Sequence, residues 1–213
     1  MPTPNHLLQQ NIAWAKQCTD NNPDYFKQLA QLKNPKYMWI GCSDSRVPAN
    51  EMIGVEPGMV FVHRNVANQV HHTDVNCLSA VHYAVHVLGV EHIIVAGHYD
   101  CGGVRAAMDS QHFGIVDNWI RSIRGIYVAH EPDMKVRTPQ QKLDYLCELN
   151  TTRQVEKLSQ THIIQDAWVA GRSLSLHGWV YRLKDGLLHD LCVSKHDLND
   201  VEPIYRVVEK TLE

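Results

Sequence analysis

Two apolar segments, each closed by glycine and followed at once by a side chain that can bind a metal, constrain the fold of this chain most. Residues 37–41 lead into Cys42, and residues 92–97 lead into His98, with Cys101 three positions further on. Both segments have the composition of β-strands. In α/β folds, ligands bind outside the carboxyl ends of parallel strands, which share one edge of the sheet. We therefore expect Cys42, His98 and Cys101 to converge at such an edge.

Two thiolates and one imidazole suit Zn²⁺, and three protein ligands leave its fourth position open, as in catalytic sites. Structural zinc is normally closed by four Cys or His residues, often in close pairs. Here Cys42 is separated from His98 and Cys101 by a whole strand-helix-strand unit. The sequence therefore predicts a catalytic zinc site. A non-enzymatic, zinc-stabilised interaction module is an alternative, although such a module has no need of Asp44 and Arg46.

Asp44 and Arg46 follow Cys42 at alternate positions. In an extended loop, side chains two residues apart point toward the same side. A surface ion pair of little energetic consequence is the ordinary interpretation of an isolated Asp-x-Arg. Directly after a predicted zinc cysteine, we instead expect the pair to act in catalysis.

The segments Cys42-Ser43-Asp44-Ser45-Arg46 and His98-Tyr99-Asp100-Cys101-Gly102-Gly103 resemble the zinc motifs of the β-class carbonic anhydrases, C-x-D-x-R and H-x-x-C-G-G. The resemblance covers residues 37–103 and returns at 176–181. It implies reversible hydration of carbon dioxide to bicarbonate and a proton, by attack of a zinc-bound hydroxide. Asp44 would accept a hydrogen bond from that hydroxide, and Arg46 would hold Asp44. A carbon disulfide or carbonyl sulfide hydrolase has the same ligand set and remains an alternative.

A further resemblance, to the bicarbonate-regulated (type II) bacterial branch of this family, rests on Trp39, Arg64 and Tyr181, which stand where that branch has a bicarbonate pocket. It implies that bicarbonate favours a loop shift around Val47 that frees Asp44 to take the open zinc position. Acid and bicarbonate would then both favour the inactive state. A strand tryptophan, a salt-bridged arginine and a sheet tyrosine form the alternative interpretation.

The glycines that follow Cys101 are predicted to contact anions. Gly102 and Gly103 allow a tight turn before a helix that starts near Val104, and N–H groups at a helix start can face an anion such as bicarbonate. Two thiolates and a neutral imidazole give a zinc site of zero formal charge, which acidifies bound water less than three imidazoles do. The expected activity optimum is alkaline.

Alternating strands and helices predict an α/β fold with a mostly parallel central sheet and flanking helices. We expect one domain over residues 1–213, in which 1–34 form an N-terminal helical arm and 35–213 the α/β core. A hairpin over residues 179–193 should add to the sheet at the C-terminal side. A helix over residues 74–88, capped by Thr73, is apolar nearly all round and is predicted to be buried. The family resemblance implies a homo-oligomer, a dimer or a dimer of dimers (homotetramer), with the arm across a partner.

Charge and composition exclude several classes of partner. A net charge of -3 and a pI near 6.5 leave no basic surface for nucleic acid, and no apolar run of 18 residues suggests a membrane span. Because the start lacks the pattern of a secretory signal, a cytoplasmic location is expected. Six irregularly spaced cysteines in such a chain are predicted to be thiols. No function is assigned to the four that are not predicted ligands, Cys18, Cys77, Cys147 and Cys192.

Overall fold

The computed structural model describes residues 3–32 and 34–207. The chain divides into two compact units, Met1–Asn34 and Pro35–Glu213. In the first unit, helix α1 (Asn5–Asn21) and helix α2 (Tyr25–Gln31) meet through Trp14 and Phe26, whose rings pack edge to face with centroids 5.7 Å apart. The apolar stripe of α1 is exposed: Leu8 and Ile12 are more than 60% accessible.

The second unit is built on a five-stranded sheet in the order β2-β1-β3-β4-β5. Its strands are β1 (Tyr37–Cys42), β2 (Val60–Asn65), β3 (His92–His98), β4 (Ser175–Arg182) and β5 (Leu187–Asp190). Strands β2, β1, β3 and β4 are parallel, and β5 returns antiparallel to β4 as the predicted hairpin. The predicted α/β class with a mostly parallel sheet and flanking helices is confirmed.

Eight helices of this unit connect or flank the strands in the described part of the chain. They are α3 (Ala49–Met52), α4 (Val75–His82), α5 (Gly102–Met108), α6 (Val116–Trp119), α7 (Arg121–Ala129), α8 (Glu131–Lys135), α9 (Pro139–Ser159) and α10 (His162–Val169). The Thr138 hydroxyl and the Gln141 side chain form a capping box at the start of α9, the longest of them. Within residues 3–32 and 34–207, no helix combines the length and apolar character that a membrane-spanning segment needs.

Helix α4 differs from its prediction in three ways. Asp74, not Thr73, caps it: the Asp74 carboxylate accepts hydrogen bonds from the backbone N–H groups of Asn76 and Cys77, and its charge suits the positive end of the helix. The segment Tyr83–Leu88 continues as a π-helical turn before Gly89 ends it in the left-handed conformation. One face of α4 and of the π-helical segment is also uncovered, because the side chains of Val75, Tyr83 and Val87 are between 48% and 73% accessible in the single chain.

Gly97 allows α9 to lie directly against β3, one residue before His98. A Cβ atom at Gly97 would overlap the Thr151 hydroxyl. We expect Gly97→Ala to destabilise the protein by about 1–3 kcal/mol, the usual cost of overpacking, measured by urea unfolding. In the double variant with Thr151→Ala, the nearest remaining atoms are the Cβ of residue 151 at 3.5 Å and the Cys147 carbonyl oxygen at 3.6 Å, which are ordinary contacts, so much of this loss should be recovered. Gly125→Ala, where a Cβ meets nothing within 4 Å, is the control; an equal loss there would contradict the overlap.

Three partly buried histidines make the folded protein less stable as the pH is lowered. Burial lowers the pKa of His63, His71 and His177 below the ordinary value near 6.5. Below that pH the unfolded chain binds protons that the folded chain does not, so stability is greatest above about pH 6.5 and declines as the pH falls. We expect a lower urea midpoint at pH 5.5 than at pH 7.5, and a smaller difference in His177→Gln. Equal differences in variant and wild type would contradict this linkage.

Candidate metal centre

The three predicted ligands meet at the carboxyl edge of the sheet. Cys42 is the last residue of β1, His98 is the last residue of the adjacent β3, and Cys101 immediately precedes α5. Their ligand atoms lie within 4.8 Å of one another, and all three residues are at most 5% exposed. The parallel pairing of β1 with β3 places the first two ligands side by side. The fold thus collects residues that lie 59 positions apart in the chain into one buried cluster.

The geometry of this cluster fits a tetrahedral metal ion. The Cys42 and Cys101 sulfur atoms are 3.8 Å apart, and two thiolates bonded at 2.3 Å to one tetrahedral ion are also about 3.8 Å apart. His98 Nδ1 lies 3.0 Å from the Tyr99 carbonyl oxygen and can donate to it, which leaves Nε2 as the atom with a free lone pair. That buried Nε2 has no hydrogen-bond partner in the described residues. Because buried polar atoms are nearly always paired, a metal is the partner this nitrogen fits.

The surroundings favour a thiolate at Cys42. A hydrogen bond from the Cys101 thiol lowers the pKa of Cys42, against the opposing effect of burial, and the nearby backbone N–H groups of Asp44 and Ala67 lower it further. In return, Cys42 raises the pKa of Cys101. The two sulfurs share a proton that a cation would displace, because metal binding requires both thiols in the deprotonated form.

Asp44 and Arg46 form a two-pronged ion pair beside the ligands. Arg46 Nε donates to Asp44 Oδ1 at 2.9 Å, and its terminal nitrogen donates to Oδ2 at 2.6 Å. These bonds hold the pKa of the Asp44 carboxyl well below its usual range. Asp44 Oδ2 also lies 3.8 Å from His98 Nε2. The carboxylate is therefore ionised, held in a fixed orientation, and adjacent to the position of the metal.

Two cavities of similar size open on the second unit. One, of about 640 Å³, is lined by Arg46, Tyr99, Asp100 and Arg182 among others. The other, of about 670 Å³, lies between α7 and α9 and contains none of the predicted site residues. Because Arg46 lines the first cavity together with Tyr99 and Asp100, which follow His98 in the chain, it is the one of the two that lies nearer to the candidate site.

Comparison with known proteins agrees with this geometry. The sequence profile of the carbonic anhydrase family matches residues 37–188. A carbonic anhydrase of Emericella nidulans is 40% identical over 209 residues, which cover 97% of this chain and 92% of the relative. The β-carbonic anhydrase of Coccomyxa, solved in complex with acetazolamide, superposes with a TM-score of 0.89 at 34% identity, over 94% of this chain and 91% of that one. The chain belongs to the β-carbonic anhydrase family.

Another solved relative is one of two tetrameric β-carbonic anhydrases from the filamentous ascomycete Sordaria macrospora. It is 34% identical, with a TM-score of 0.86 over 90% of this chain and 98% of that one. The β-carbonic anhydrases are metalloenzymes, and the Cys42, His98 and Cys101 cluster is the metal site that the present member offers.

The residues of the predicted bicarbonate pocket occupy different surroundings in this carbonic anhydrase. Arg64 donates to the carbonyl oxygens of Cys42 and Asp44, so it braces the ligand loop. Trp39 is 2% exposed and packs over Gly41, within an apolar cluster different from the one that holds Tyr181. Strand β3 lies between the strands that carry Trp39 and Tyr181. Among the described residues no hydrogen bond joins the three, and their pocket stays a prediction.

Two other sets of predicted site residues have clear positions. Val47 is 4% exposed and belongs to the apolar cluster that contains Cys42 and Cys101. Gly102 and Gly103 form the first turn of α5, and a Cβ at Gly103 would come within 2.9 Å of Val66. Gly103 thus permits close packing beside the ligands, whereas the anion contact predicted for both glycines stays a prediction.

Sequence reasoning missed the segment that follows β2. Ala67 and Asn68 have positive φ angles of 62° and 46°, and Ala67 belongs to the buried apolar cluster that contains Cys42 and Cys101. Neither alanine nor asparagine at this point marks a left-handed backbone as glycine would. The segment Arg64-Asn65-Val66-Ala67-Asn68 offered only Asn68 as a weak indication, because asparagine tolerates that conformation better than most residues.

Proposed function

We propose that this carbonic anhydrase holds Zn²⁺ on Cys42, His98 and Cys101, and with it catalyses the reversible hydration of carbon dioxide to bicarbonate and a proton. The observation that carries the proposal is the buried convergence of two thiols and an imidazole whose Nε2 has no other partner in the described residues. Sulfur and imidazole ligands in a tetrahedral arrangement select zinc over the oxygen-preferring ions.

Zinc at this site would supply a Lewis acid that makes water a nucleophile near neutral pH. The protein's own residues orient the reaction. The Asp44 carboxylate can only accept hydrogen bonds, so it would hold the proton of the attacking oxygen and keep a lone pair of that oxygen directed at carbon dioxide. Arg46 fixes both carboxylate oxygens and keeps Asp44 ionised. Because two thiolates offset the charge of a divalent cation, water bound to that cation would lose its proton only at a higher pH. Activity should therefore rise at alkaline pH.

Stopped-flow hydration of carbon dioxide, followed with a pH indicator, tests this function. The purified protein should accelerate hydration, lose the activity after dialysis against a chelator, and regain it with Zn²⁺ but not with Mg²⁺. Turnover of carbonyl sulfide without turnover of carbon dioxide would replace the proposal with the hydrolase alternative. Hydration that survives complete removal of zinc would overturn it.

We also propose a homo-oligomer, a dimer or a dimer of dimers. Apolar side chains of α1 are exposed in the single chain, among them Leu7, Leu8 and Ile12, and large exposed apolar patches commonly mark protein interfaces. Strand β2 lies at an edge of the sheet, which is a second surface that proteins usually cover. Light scattering coupled to size-exclusion chromatography tests the proposal, and a purely monomeric species at micromolar concentration would contradict it.

Inhibition by bicarbonate is a finer proposal. We infer that bicarbonate favours a form in which Asp44 leaves Arg46 and binds the metal. Two observations support it. Asp44 Oδ2 is already 3.8 Å from His98 Nε2, and Arg64 on β2 donates a hydrogen bond to the Asp44 carbonyl oxygen. Hydration rates should fall as bicarbonate is added, and Tyr181→Phe or Trp39→Phe should weaken the effect. Simple competitive inhibition that is unchanged in both variants would argue against it. The loss of activity at low pH stays a prediction.

A further inference from the structure

The two-residue loop between the ligands His98 and Cys101 contains a residue with left-handed backbone. That residue, Asp100, directly precedes Cys101 and has a φ of 59°. Residues with side chains rarely adopt this region, although aspartate tolerates it better than most. A conformation of this kind persists only where the surrounding structure determines it strongly, and it often lies at functional sites. The contacts of the loop therefore define what the conformation achieves.

Both ends of this loop are fixed by backbone hydrogen bonds. At its start, the Tyr99 N–H donates to the Tyr181 carbonyl oxygen at 2.9 Å, which continues the pairing of β3 with β4. At its end, the Cys101 carbonyl oxygen accepts from the Arg105 N–H at 2.9 Å, where α5 begins. The loop must therefore join two points whose positions the sheet and the helix already determine.

The peptide group that joins Tyr99 to Asp100 contacts the histidine ligand. Its carbonyl oxygen lies 3.0 Å from His98 Nδ1. A carbonyl oxygen only accepts hydrogen bonds, so this contact requires a proton on Nδ1. The lone pair of the ring is then on Nε2, the buried atom without a hydrogen-bond partner in the described residues. The orientation of this one peptide group therefore decides which nitrogen of His98 is available to a metal.

The φ angle of Asp100 sets the orientation of that peptide group relative to Cys101. The group is planar, so a rotation about the N–Cα bond of Asp100 turns its carbonyl as a unit. In the conformations that most residues prefer, φ is negative and would differ from the observed angle by more than about 100°. Either the carbonyl would then turn away from His98 Nδ1, or Cys101 would leave the cluster. Left-handed backbone at Asp100 allows both ligands to be held at once.

The side chain of Asp100 has a smaller part in this arrangement than its backbone. Its carboxylate accepts a hydrogen bond from the guanidinium of Arg105 on α5. The side chains of Asp100 and Arg105 are 48% and 58% exposed. Ion pairs at such exposure contribute little to stability. The negative charge of Asp100 is therefore expected to matter less than its tolerance of the left-handed region.

We propose that Asp100 is a positioning residue of the metal centre, whose left-handed backbone aims the Tyr99 carbonyl at His98 Nδ1 while it brings Cys101 to the same cluster. The carbonyl fixes the orientation of the imidazole ring and the position of its proton, as partners of metal-bound histidines do. The inference rests on the proposed function, because it requires a metal bound by His98 and Cys101.

Substitutions at position 100 separate the backbone from the charge. Valine is branched at Cβ and strongly disfavours the left-handed region, whereas asparagine and glycine adopt it without a charge. Asp100→Val should weaken zinc binding by about 10- to 100-fold, the usual effect of losing a partner of a ligand, measured by competition with a chelator. Asp100→Asn and Asp100→Gly should bind zinc as wild type does. An equal loss in Asp100→Asn and Asp100→Val would overturn the inference, because the charge would then be responsible.

The protein with Co²⁺ in place of Zn²⁺ provides a spectroscopic test. The visible absorption bands of cobalt report the identity and the arrangement of its ligands. They should move in Asp100→Val, because the histidine ring and Cys101 can no longer both keep their positions. In Asp100→Asn they should coincide with those of wild type. Bands that are unchanged in Asp100→Val would overturn the inference.

Cys192→Val is the matched control for backbone strain. Cys192 also has left-handed backbone, with a φ of 57°, and like Asp100 it is exposed. Its neighbour Leu191 donates to the Gly178 carbonyl oxygen, midway along β4 and away from the carboxyl edge. This variant should lower the unfolding midpoint comparably without changing zinc affinity or the cobalt bands. An equal loss of zinc affinity in Cys192→Val would overturn the inference, because the loss would then reflect general loosening of the fold.

A milder variant completes the test. If Asp100→Val does not fold, Asp100→Ala introduces less strain, because alanine lacks the branched Cβ but still disfavours the left-handed region. It should weaken zinc binding by a smaller factor and move the cobalt bands in the same direction. Wild-type zinc affinity in whichever of the two variants folds would overturn the inference. Wild-type protein that binds neither zinc nor cobalt would instead overturn the proposed metal centre itself.

Discussion

Cys42→Ser, His98→Ala and Cys101→Ser should each give protein that has lost its zinc and its hydration activity together. All three ligands are at most 5% exposed, and no other His, Cys, Asp or Glu belongs to this cluster in the part of the chain that the structure describes. Two remaining ligands cannot hold the ion as three do, because each contributes a large share of the binding free energy. Elemental analysis should find about one zinc per chain in wild type and almost none in the variants, and stopped-flow rates should fall to those of uncatalysed hydration.

Cys77→Ser is the control for that series. Cys77 is also fully buried and lies near His63 and Asp74, which makes this trio the other cluster of metal-ligand types in the described residues. Burial raises the pKa of Cys77 to about 12, and one oxygen of Asp74 already caps α4, so we expect this variant to keep its zinc and activity. Full zinc occupancy in all three ligand variants would contradict the assignment of Cys42, His98 and Cys101 as ligands. Two zinc ions per wild-type chain would show that the second trio also binds metal.

Local patterns predicted the parts of this protein that depend on neighbouring residues. Cys42 and His98 could be placed because each follows an apolar strand directly, and parallel pairing of adjacent strands then brings their ends together. Gly89 predicts the end of the helix that includes α4, because glycine commonly ends a helix in the left-handed conformation, and its φ is 71°. The start was misplaced by one residue, since Thr73 and Asp74 are both good caps and only the path of the chain decides between them.

The features that escaped prediction depend on residues far apart in sequence. Contacts of Asn150 with Ala67 and Gln69 span more than 80 positions, and a buried asparagine in a helix has no local signature. The uncovered face of α4 and the π-helical segment after it has the same origin: the apolar composition predicts burial, but the single chain leaves Val75 and Val87 accessible. Periodicity identifies a face that needs covering without telling whether the cover comes from the same chain.

Asp44→Asn should leave zinc in place and slow hydration strongly. Asparagine keeps the size of the side chain but loses the negative charge and replaces one acceptor oxygen by an NH₂ donor, so only one uncharged oxygen is left to accept the proton of the attacking oxygen. It also ends the ion pair with Arg46, whose two bonds of 2.9 and 2.6 Å orient the carboxylate. We expect kcat to fall by roughly 10²- to 10⁴-fold, the range for a positioned side chain that handles a proton, with wild-type zinc content by elemental analysis.

Asp117→Asn separates this role from the loss of any partly buried ion pair. The Asp117 side chain is 18% exposed against 17% for Asp44, and it too contacts an arginine, Arg124, at 3.5 Å. The two substitutions therefore remove the same charge at nearly the same depth, but only Asp44 lies beside a metal ligand, 3.8 Å from His98 Nε2. Asp117→Asn should retain wild-type kcat. Wild-type turnover in Asp44→Asn would refute the catalytic role, whereas loss of zinc from that variant would make Asp44 a support for the metal site rather than a participant in the reaction.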